Sequence, residues 1–452
     1  MKSFFLSTCS SALILAGCAE FSPPPDRNAM SELSPPAQFV AAQPSGDELA
    51  GGLLALFDDA QLTALVERAL SNNHDVRLAA QQMELAGYNA TISGAALTPH
   101  LTGGLNSSRA GGSGPTSGTT RPSLDVSWEV DLWGQLRDSR SAARSDALAE
   151  AERFKAVRAS IAAQVMQGWF EYARSAQAMA LEKQRLAGLK QREEFVRRNY
   201  RAGVGSLEDL SAIRRDVALS QDVLLANQGT RNDAARSLDL LLGAYPDAVL
   251  SGAPRLPRLK STPHAGIPAD ILTNRPDLKS AWAQVGAADR RISVAQKDLL
   301  PKISLTGSLG STTPDFSDLL SSATIWTFAG NLTAPIFDGN RRRTEILASR
   351  NRADQAWITY LQTALVAFSE VERALDQEQM LRRREAELRQ AVTHAQTTSK
   401  LFESRYQAGL VSILELLNAQ NAVFDIRSQV LSVRAARLSN RVALALALGK
   451  EV

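Results

Sequence analysis

Cys18 is the residue of this chain best placed for covalent chemistry, because it ends the run Leu15-Ala16-Gly17-Cys18 behind Lys2 and an apolar stretch from Phe4 to Leu15. Small residues at the end of a short secretory signal are where a signal is cut, and Leu-Ala-Gly-Cys resembles the bacterial lipobox, which implies that the Cys18 thiol is acylated and becomes the first mature residue. An ordinary signal with an incidental cysteine is the alternative. Cys9 lies inside the signal and leaves with it, so no disulfide framework or cysteine-based metal site is expected. The four histidines, His74, His100, His264 and His394, show no metal-ligand spacing. No phosphate loop, nucleophile elbow or His-Glu-x-x-His motif occurs. Acids sit beside arginines on helix faces, as in Glu150-Ala151-Glu152-Arg153, where pairing accounts for them. These features imply no enzyme, no cofactor and no metal. One further polar group stands out: Glu415, Asn418 and Asn421, spaced by three, beside Ile413, Leu414, Leu416 and Leu417. A polar stripe could line a pore, or it could be an ordinary solvated helix start, where acids are favoured by the dipole.

The elements that carry these residues occur twice. Tyr200-Arg201-Ala202-Gly203-Val204-Gly205-Ser206-Leu207 returns as Tyr406-Gln407-Ala408-Gly409-Leu410-Val411-Ser412-Ile413, an offset of 206, which also carries Asp209 onto Glu415 and Leu242-Gly243 onto Leu448-Gly449. A shift of 202 carries Asn73 and Pro99 onto Arg275 and Pro301. The unit is far longer than the ~20–50 residues of solenoid repeats. The expected organisation is a signal over 1–17, an acylated extended segment over 18–57, a first repeat over 58–250, an inter-repeat segment over 251–268 and a second repeat over 269–452.

Proline is absent from Ser123 to Tyr245 and from Ile336 to the C-terminus, in tracts rich in Ala, Leu, Arg, Glu and Gln. Such composition predicts very long helices, broken only at the two glycine-containing turns, each followed by Ser206 or Ser412 as an N-cap. The hairpins are expected over about 135–243 and 340–449; a helix from Gln135 to Tyr200 would rise ~100 Å. Their apolar and small residues cover more than one face, as in Ala156, Val157, Ala159, Ile161, Ala162, Val165 and Met166, which favours a closed ring of helices over a single-seam coiled coil.

Period-two alternation marks the strands. Leu124, Val126, Trp128, Val130 and Leu132 alternate with Asp125, Ser127, Glu129 and Asp131; Ile303, Leu305 and Leu309 with Lys302, Ser304, Thr306 and Ser308; and Trp326, Phe328, Leu332 and Ile336 with Thr327, Asn331 and Thr333. With a weaker stretch from His100 to Ser108, strands are expected at about 98–109, 122–133, 301–310 and 324–337. No apolar run of about 18 residues follows the signal, so any crossing of a bilayer uses strands. One apolar and one polar face suits a water-filled barrel in lipid, which needs about eight or more strands, so several chains must pool theirs. A half-exposed soluble sheet is the alternative. The net charge of +3, with acids and bases interspersed, argues against a nucleic-acid partner, and Arg341-Arg342-Arg343 and Arg382-Arg383-Arg384 read as solvated helix surface.

The order of signal, lipobox, strand pair, long hairpin with Tyr-x-Ala-Gly at its turn, then Arg275-Pro276-Asp277 and the unit again, resembles the TolC-like outer-membrane factors. Asn274-Arg275-Pro276-Asp277-Leu278, Val294-Ala295-Gln296 and Leu300-Pro301-Lys302-Ile303-Ser304-Leu305 resemble the lipidated OprM/NodT-like subgroup, over nearly the whole chain from about Phe57. Ala19, in place of an aspartate that would favour inner-membrane retention, fits outer-membrane delivery. The resemblance implies a mainly α protein with a transmembrane β-barrel: a homotrimer whose strands form a 12-stranded barrel and whose tandem-duplicated hairpins form a periplasmic α-barrel tube. It would be the exit duct of a tripartite, RND-type efflux pump for drugs or other small toxic compounds, docked by a periplasmic adaptor at Ala202, Gly203, Val204 and Gly205 and at Ala408, Gly409, Leu410 and Val411, and supplied with energy by an inner-membrane pump. Asp209, Tyr406, Glu415 and Asn418 would form its periplasmic gate, with Asn418 where an aspartate is common and Tyr406 bonding to Asp209. Type I secretion and metal-ion efflux are alternatives within that class, and a coiled-coil structural lipoprotein is the alternative outside it.

Overall fold

The computed structural model describes residues 26–41, 47–48, 52–113, 117–250, 254–259, 263–264, 267–314, 316 and 322–452. The signal and Cys18 lie outside the described residues. In chain order the elements are α1 (Ala29–Leu33), β1 (Asp47–Glu48), a 3₁₀ turn (Leu53–Leu56), α2 (Ala60–Asn72), α3 (His74–Ala95), β2 (His100–Ala110), β3 (Ser117–Val130), α4 (Gln135–Arg201), α5 (Leu207–Leu241), β4 (Pro263–His264), α6 (Pro268–Asn274), α7 (Pro276–Lys297), β5 (Lys302–Gly310), β6 (Ile325–Thr333), α8 (Arg341–Gln407) and α9 (Ile413–Ala447). The duplication holds in length: α4 and α8 have 67 residues each, α5 and α9 have 35, and α3 and α7 have 22. Among the described residues no helix is long and apolar enough to cross a membrane.

The chain divides into two compact units, one of residues 1–32, 81–152 and 279–363, the other of 33–80, 153–278 and 364–452. The first holds an antiparallel sheet in the order β2-β3-β5-β6, so the two repeats are hydrogen-bonded to each other through β3 and β5. Its register carries the period-two pattern across all four strands. Leu101, Val126, Gly307 and Phe328 form one cross-strand row, Gly103, Leu124, Leu309 and Trp326 another, whereas Thr102, Asp125, Ser308 and Thr327 form a polar row. A slip of one residue on any strand would reverse its faces. The large side chains of the apolar rows are exposed in the single chain, Trp326 at 74% and Phe328 at 69%, and among the described residues β2 and β6 have no outer neighbour. Two expected boundaries move. Strand β3 starts at Ser117 because Thr119, Thr120 and Arg121 find partners in Ser108, Ser107 and Asn106; β6 stops at Thr333, two residues before Pro335, so Ile336 lies beyond it. Below the sheet, Asp131 accepts from the Leu136 and Arg137 N–H groups to cap α4, and Lys297 meets Asp138 at 2.6 Å.

In the second unit the core gathers Leu53, Phe57, Met166, Trp169, Phe170, Leu238 and Val442. Around Ile161–Ala173 helix α4 is buried on nearly every side by its own chain. Its second face is thus covered there by its own chain. Helix α8 differs, leaving Leu365 and Val366 each 54% exposed.

The ends of the hairpins are tied by one equivalent position. In the first repeat the Asn73 amide donates to the Leu241 carbonyl at 2.9 Å while its oxygen caps α3 by accepting from the Asp75 and Val76 N–H groups. In the second, Arg275 donates to the Ala447 carbonyl at 3.0 Å, to Glu370 at 2.7 Å and to both oxygens of Asp277.

Candidate functional site

The two hairpin turns lie in the second unit and share one construction. Gly203 has φ +78° and its N–H donates to the Tyr200 carbonyl at 3.0 Å, while the Val204 N–H reaches back to Asn199 at 3.0 Å. Gly409 has φ +69°, donates to Tyr406 at 3.0 Å, and the Leu410 N–H reaches Arg405 at 2.9 Å. These crossed bonds satisfy the last carbonyls of α4 and α8 and need a left-handed residue, hence glycine. No heavy atom lies within 4 Å of where a Cβ on either glycine would stand. Ala202, Val204, Ala408 and Leu410 are exposed, and Gly205 and Val411 half-buried. Val204 and Leu410, exposed at 78% and 74%, give each tip an apolar point.

Behind the turns the hairpins are pinned together. Leu189, Val196, Leu210 and Ile213 pack with Ile413, Leu416 and Leu417, and Phe402 and Tyr406 close over them. Outside this knot, Arg192 meets Glu403 at 3.0 Å and Arg185 meets Asp425 at 3.1 Å. Beside those pairs a cleft of about 450 Å³ is lined by Arg185, Arg192, Lys400, Gln420, Asn421 and Arg427. Residues so distant in sequence give no local signal of such a cleft.

The four expected gate residues sit near the turns in different environments. Glu415 closes a capping box: its carboxylate accepts from the Ser412 N–H at 2.8 Å and hydroxyl at 2.9 Å, and its own N–H donates to Ser412 Oγ at 3.3 Å. Those bonds hold the Glu415 carboxyl below its ordinary value. Asp209 is half-buried and its N–H donates to Ser206 Oγ at 3.0 Å, without a return bond from the carboxylate. Asn418 is exposed, and Asn421 donates to the buried carboxylate of Asp216 at 3.1 Å. The expected Tyr406–Asp209 hydrogen bond is not made within the chain. The Tyr406 ring lies against the apolar knot instead, and burial, with the Asp209 charge adding and Arg192 opposing, pushes its hydroxyl above the usual tyrosine value. Within the single chain the Asp209 charge thus acts on the Tyr406 hydroxyl without accepting a hydrogen bond from it.

Among the described residues no group of three or more His, Cys, Asp or Glu could hold a metal ion. Sequence reasoning named Arg275 as a motif residue but missed its work as a clamp, and gave no role to the buried ion cluster of the second hairpin. There Arg437 bonds Glu378 at 2.8 Å and also Glu385, with Arg441 3.3 Å from Glu378. The spacing Glu378 to Glu385, two helical turns, was the available signal.

A family model for the outer membrane efflux protein matches residues 65–244 and 267–450, once per repeat. The chain is 30% identical over 450 residues to the cation efflux system protein CusC of Escherichia coli O6:H1, covering 97% of this chain and 96% of that one. It is 26% identical over 457 residues to the probable outer membrane lipoprotein SilC of Salmonella typhimurium, covering 98% of each. A crystal structure of a membrane protein from Pseudomonas aeruginosa superposes with a TM-score of 0.85 at 28% identity, over 95% of this chain and all of that one.

Proposed function

The chain belongs to the outer membrane efflux protein family, and from that membership we propose that three copies form the exit duct of a tripartite pump, lipid-anchored through Cys18 and docked by a periplasmic adaptor at the turns around Gly203 and Gly409. The observation that carries the proposal is the four-stranded sheet with apolar and polar rows in register and, among the described residues, both edges open. Hydrocarbon solvates neither an open edge nor a polar row, so β6 of one copy must pair with β2 of the next and the polar rows must face water. The cargo class is drugs or other small toxic compounds. A second reading, export of metal cations, is favoured by the likeness to a relative named for cation efflux.

The test is the mass of the detergent-purified protein by light scattering, with conductance in planar bilayers. A trimer with discrete channels is expected, and a monodisperse monomer would overturn the proposal. Cysteines at Gly203 or Gly409 should crosslink to the adaptor; crosslinking only from Gly112, between β2 and β3, would reverse the assignment. Cys18→Ser should lose acylation and keep membrane association. Growth of a deletion strain on drugs and on metal salts separates the two cargo readings.

A further inference from the structure

Beyond the duct, an aromatic and acidic box in the first unit is filled by a side chain from the N-terminal segment. Trp282 of α7 and Trp357 and Tyr360 of α8 form a cluster with ring centroids 5.4–6.1 Å apart, Trp357 and Tyr360 stacked at an interplanar angle of 18°. The Arg27 guanidinium lies 5.9 Å from the Trp357 ring centroid. It donates to the Ala353 carbonyl at 2.8 Å and to Asp354 at 3.1 Å, and pairs with Asp289 at 3.4 Å. Five residues on, Glu32 accepts from the Trp357 indole N–H at 3.0 Å.

The arrangement is more than an incidental surface contact. The Arg27 side chain is only 5% exposed and Trp357 7%. Asp289 Oδ1 is shut from solvent and accepts no hydrogen bond, so the Arg27 charge is what compensates it. Burial, opposed by Arg27 and reinforced by Asp354, pushes the Asp289 carboxyl above the usual range. A buried guanidinium satisfied by a ring face, two carboxylates and a carbonyl is a recognition site for that planar cation. It occurs once: the positions 206 before Trp357, Tyr360 and Asp354 are Ala151, Phe154 and Leu148, and the positions 202 before Trp282 and Asp289 are Ala80 and Gly87.

We propose that this box is a guanidinium-binding site whose ligand is the chain's own Arg27, a latch that docks the N-terminal segment on α7 and α8. Arg27 lies nine positions after Cys18, so the latch confines the thiol to within ~30 Å of the box. On the acylation reading, it thereby sets where the lipid chains enter the bilayer relative to the first unit.

Arg27 is the only lysine or arginine between Cys18 and Arg68, so trypsin reads the latch directly: cleavage after Arg27 requires the segment to leave the box, at a rate set by how often it opens. The full chain, purified in detergent, is digested with limiting trypsin and loss of the segment ending at residue 27 is followed by intact mass. The wild type should resist. Arg27→Lys keeps a cleavable bond and the charge but loses the planar fork, and should be cut at least about tenfold faster; Trp357→Leu and Asp289→Asn should do the same, while Asp425→Asn in the second unit should not. Helical circular dichroism and elution volume show that each variant is folded, and Arg27→Lys, which removes no core group, carries the test if Trp357→Leu is not. Equal rates in the wild type and Arg27→Lys, or rapid cutting of both, would overturn the latch. The same digestion of Cys18→Ser should still show protection, which keeps the outcome separate from acylation and from the trimer.

Discussion

The two repeats share one backbone and differ in what they bury. Positions 172, 179, 231 and 235 hold Tyr172, Met179, Arg231 and Ala235; 206 residues later stand Glu378, Glu385, Arg437 and Arg441. In the first hairpin Arg231 donates to the Tyr172 hydroxyl at 3.2 Å and lies 5.4 Å from its ring centroid. In the second, Glu378 and Glu385 are 4% and 3% exposed; Glu378 faces Arg437 and Arg441, and Glu385 faces Arg437, Arg389 and Arg434. The junctions follow suit, a neutral Asn73 against a charged Arg275. Helix geometry thus tolerates an arginine set against a neutral phenol or against paired carboxylates at the same positions, but the carboxylate version fails harder when half of it is removed, because a charge is then left buried without its counter-ion.

The largest expected effect breaks the pairing. Glu378→Ala should cost about 3–5 kcal/mol in urea unfolding of the purified protein, whereas replacing Glu378, Glu385 and Arg441 together by the Tyr, Met and Ala of the first repeat should be near neutral. Equal losses from the single and the triple change would show that packing, not charge, distinguishes the hairpins. Next comes the clamp: Arg275→Ala strips bonds from Ala447, Glu370 and Asp277 and should cost about 1.5–3 kcal/mol, read as faster hydrogen exchange at the end of α9. Smaller still are the left-handed turns. Gly203→Ala and Gly409→Ala should each cost about 1 kcal/mol, with open space for the methyl, but Gly243→Ala should cost more than Gly449→Ala because its Cβ would stand 2.6 Å from the Asn72 carbonyl oxygen against 3.0 Å from the Arg275 nitrogen. The reverse order in thermal midpoints would mean the junction backbones can yield.

The smallest effect is set by pH. Glu415 has a carboxyl below its ordinary value of 4.5, held there by the Ser412 N–H and hydroxyl. A carboxylate whose folded value is depressed stabilises the fold above its unfolded value and loses that contribution as pH falls through the folded one. Amides at the start of α9 should therefore lose protection, relative to their intrinsic exchange rates, below about pH 4.5, and Ser412→Ala, which removes the hydroxyl but keeps the N–H, should weaken the dependence without abolishing it. Helix α5, where Asp209 returns no bond to its cap, should change less; identical profiles at the two turns would erase the distinction.

Much of the fold was legible because it is written in period and punctuation. The proline-free tracts and the echoed turn mark both hairpins, and alternation in Leu124–Leu132 marks β3. The exact start of β3 was not, since Ser117 to Arg121 have turn-like composition and become strand only through cross-strand partners. At the tip, residue types announced Ser412 as a cap but assigned Glu415 to a polar stripe, and could not say that Tyr406 turns to the apolar knot, because that contact depends on Leu189 and Val196 of another helix. The Arg27 box was invisible for the same reason: its members come from three stretches more than 250 residues apart at the extremes, Arg27 and Trp357 among them.

The seam between β3 and β5 also constrains biosynthesis. Leu124 pairs with Leu309, so during export the first strand pair must wait through the delivery of 185 further residues (309 − 124) before its neighbour exists. Meanwhile its apolar row and its edge are open to any other chain, the condition under which slow, non-local sheets aggregate. A chain halted before residue 300 should therefore be held by a periplasmic holdase or degraded, and pulse-labelled protein should gain protease resistance only after synthesis passes β6. Early resistance, before β5 is made, would mean the first repeat can shield its own strands.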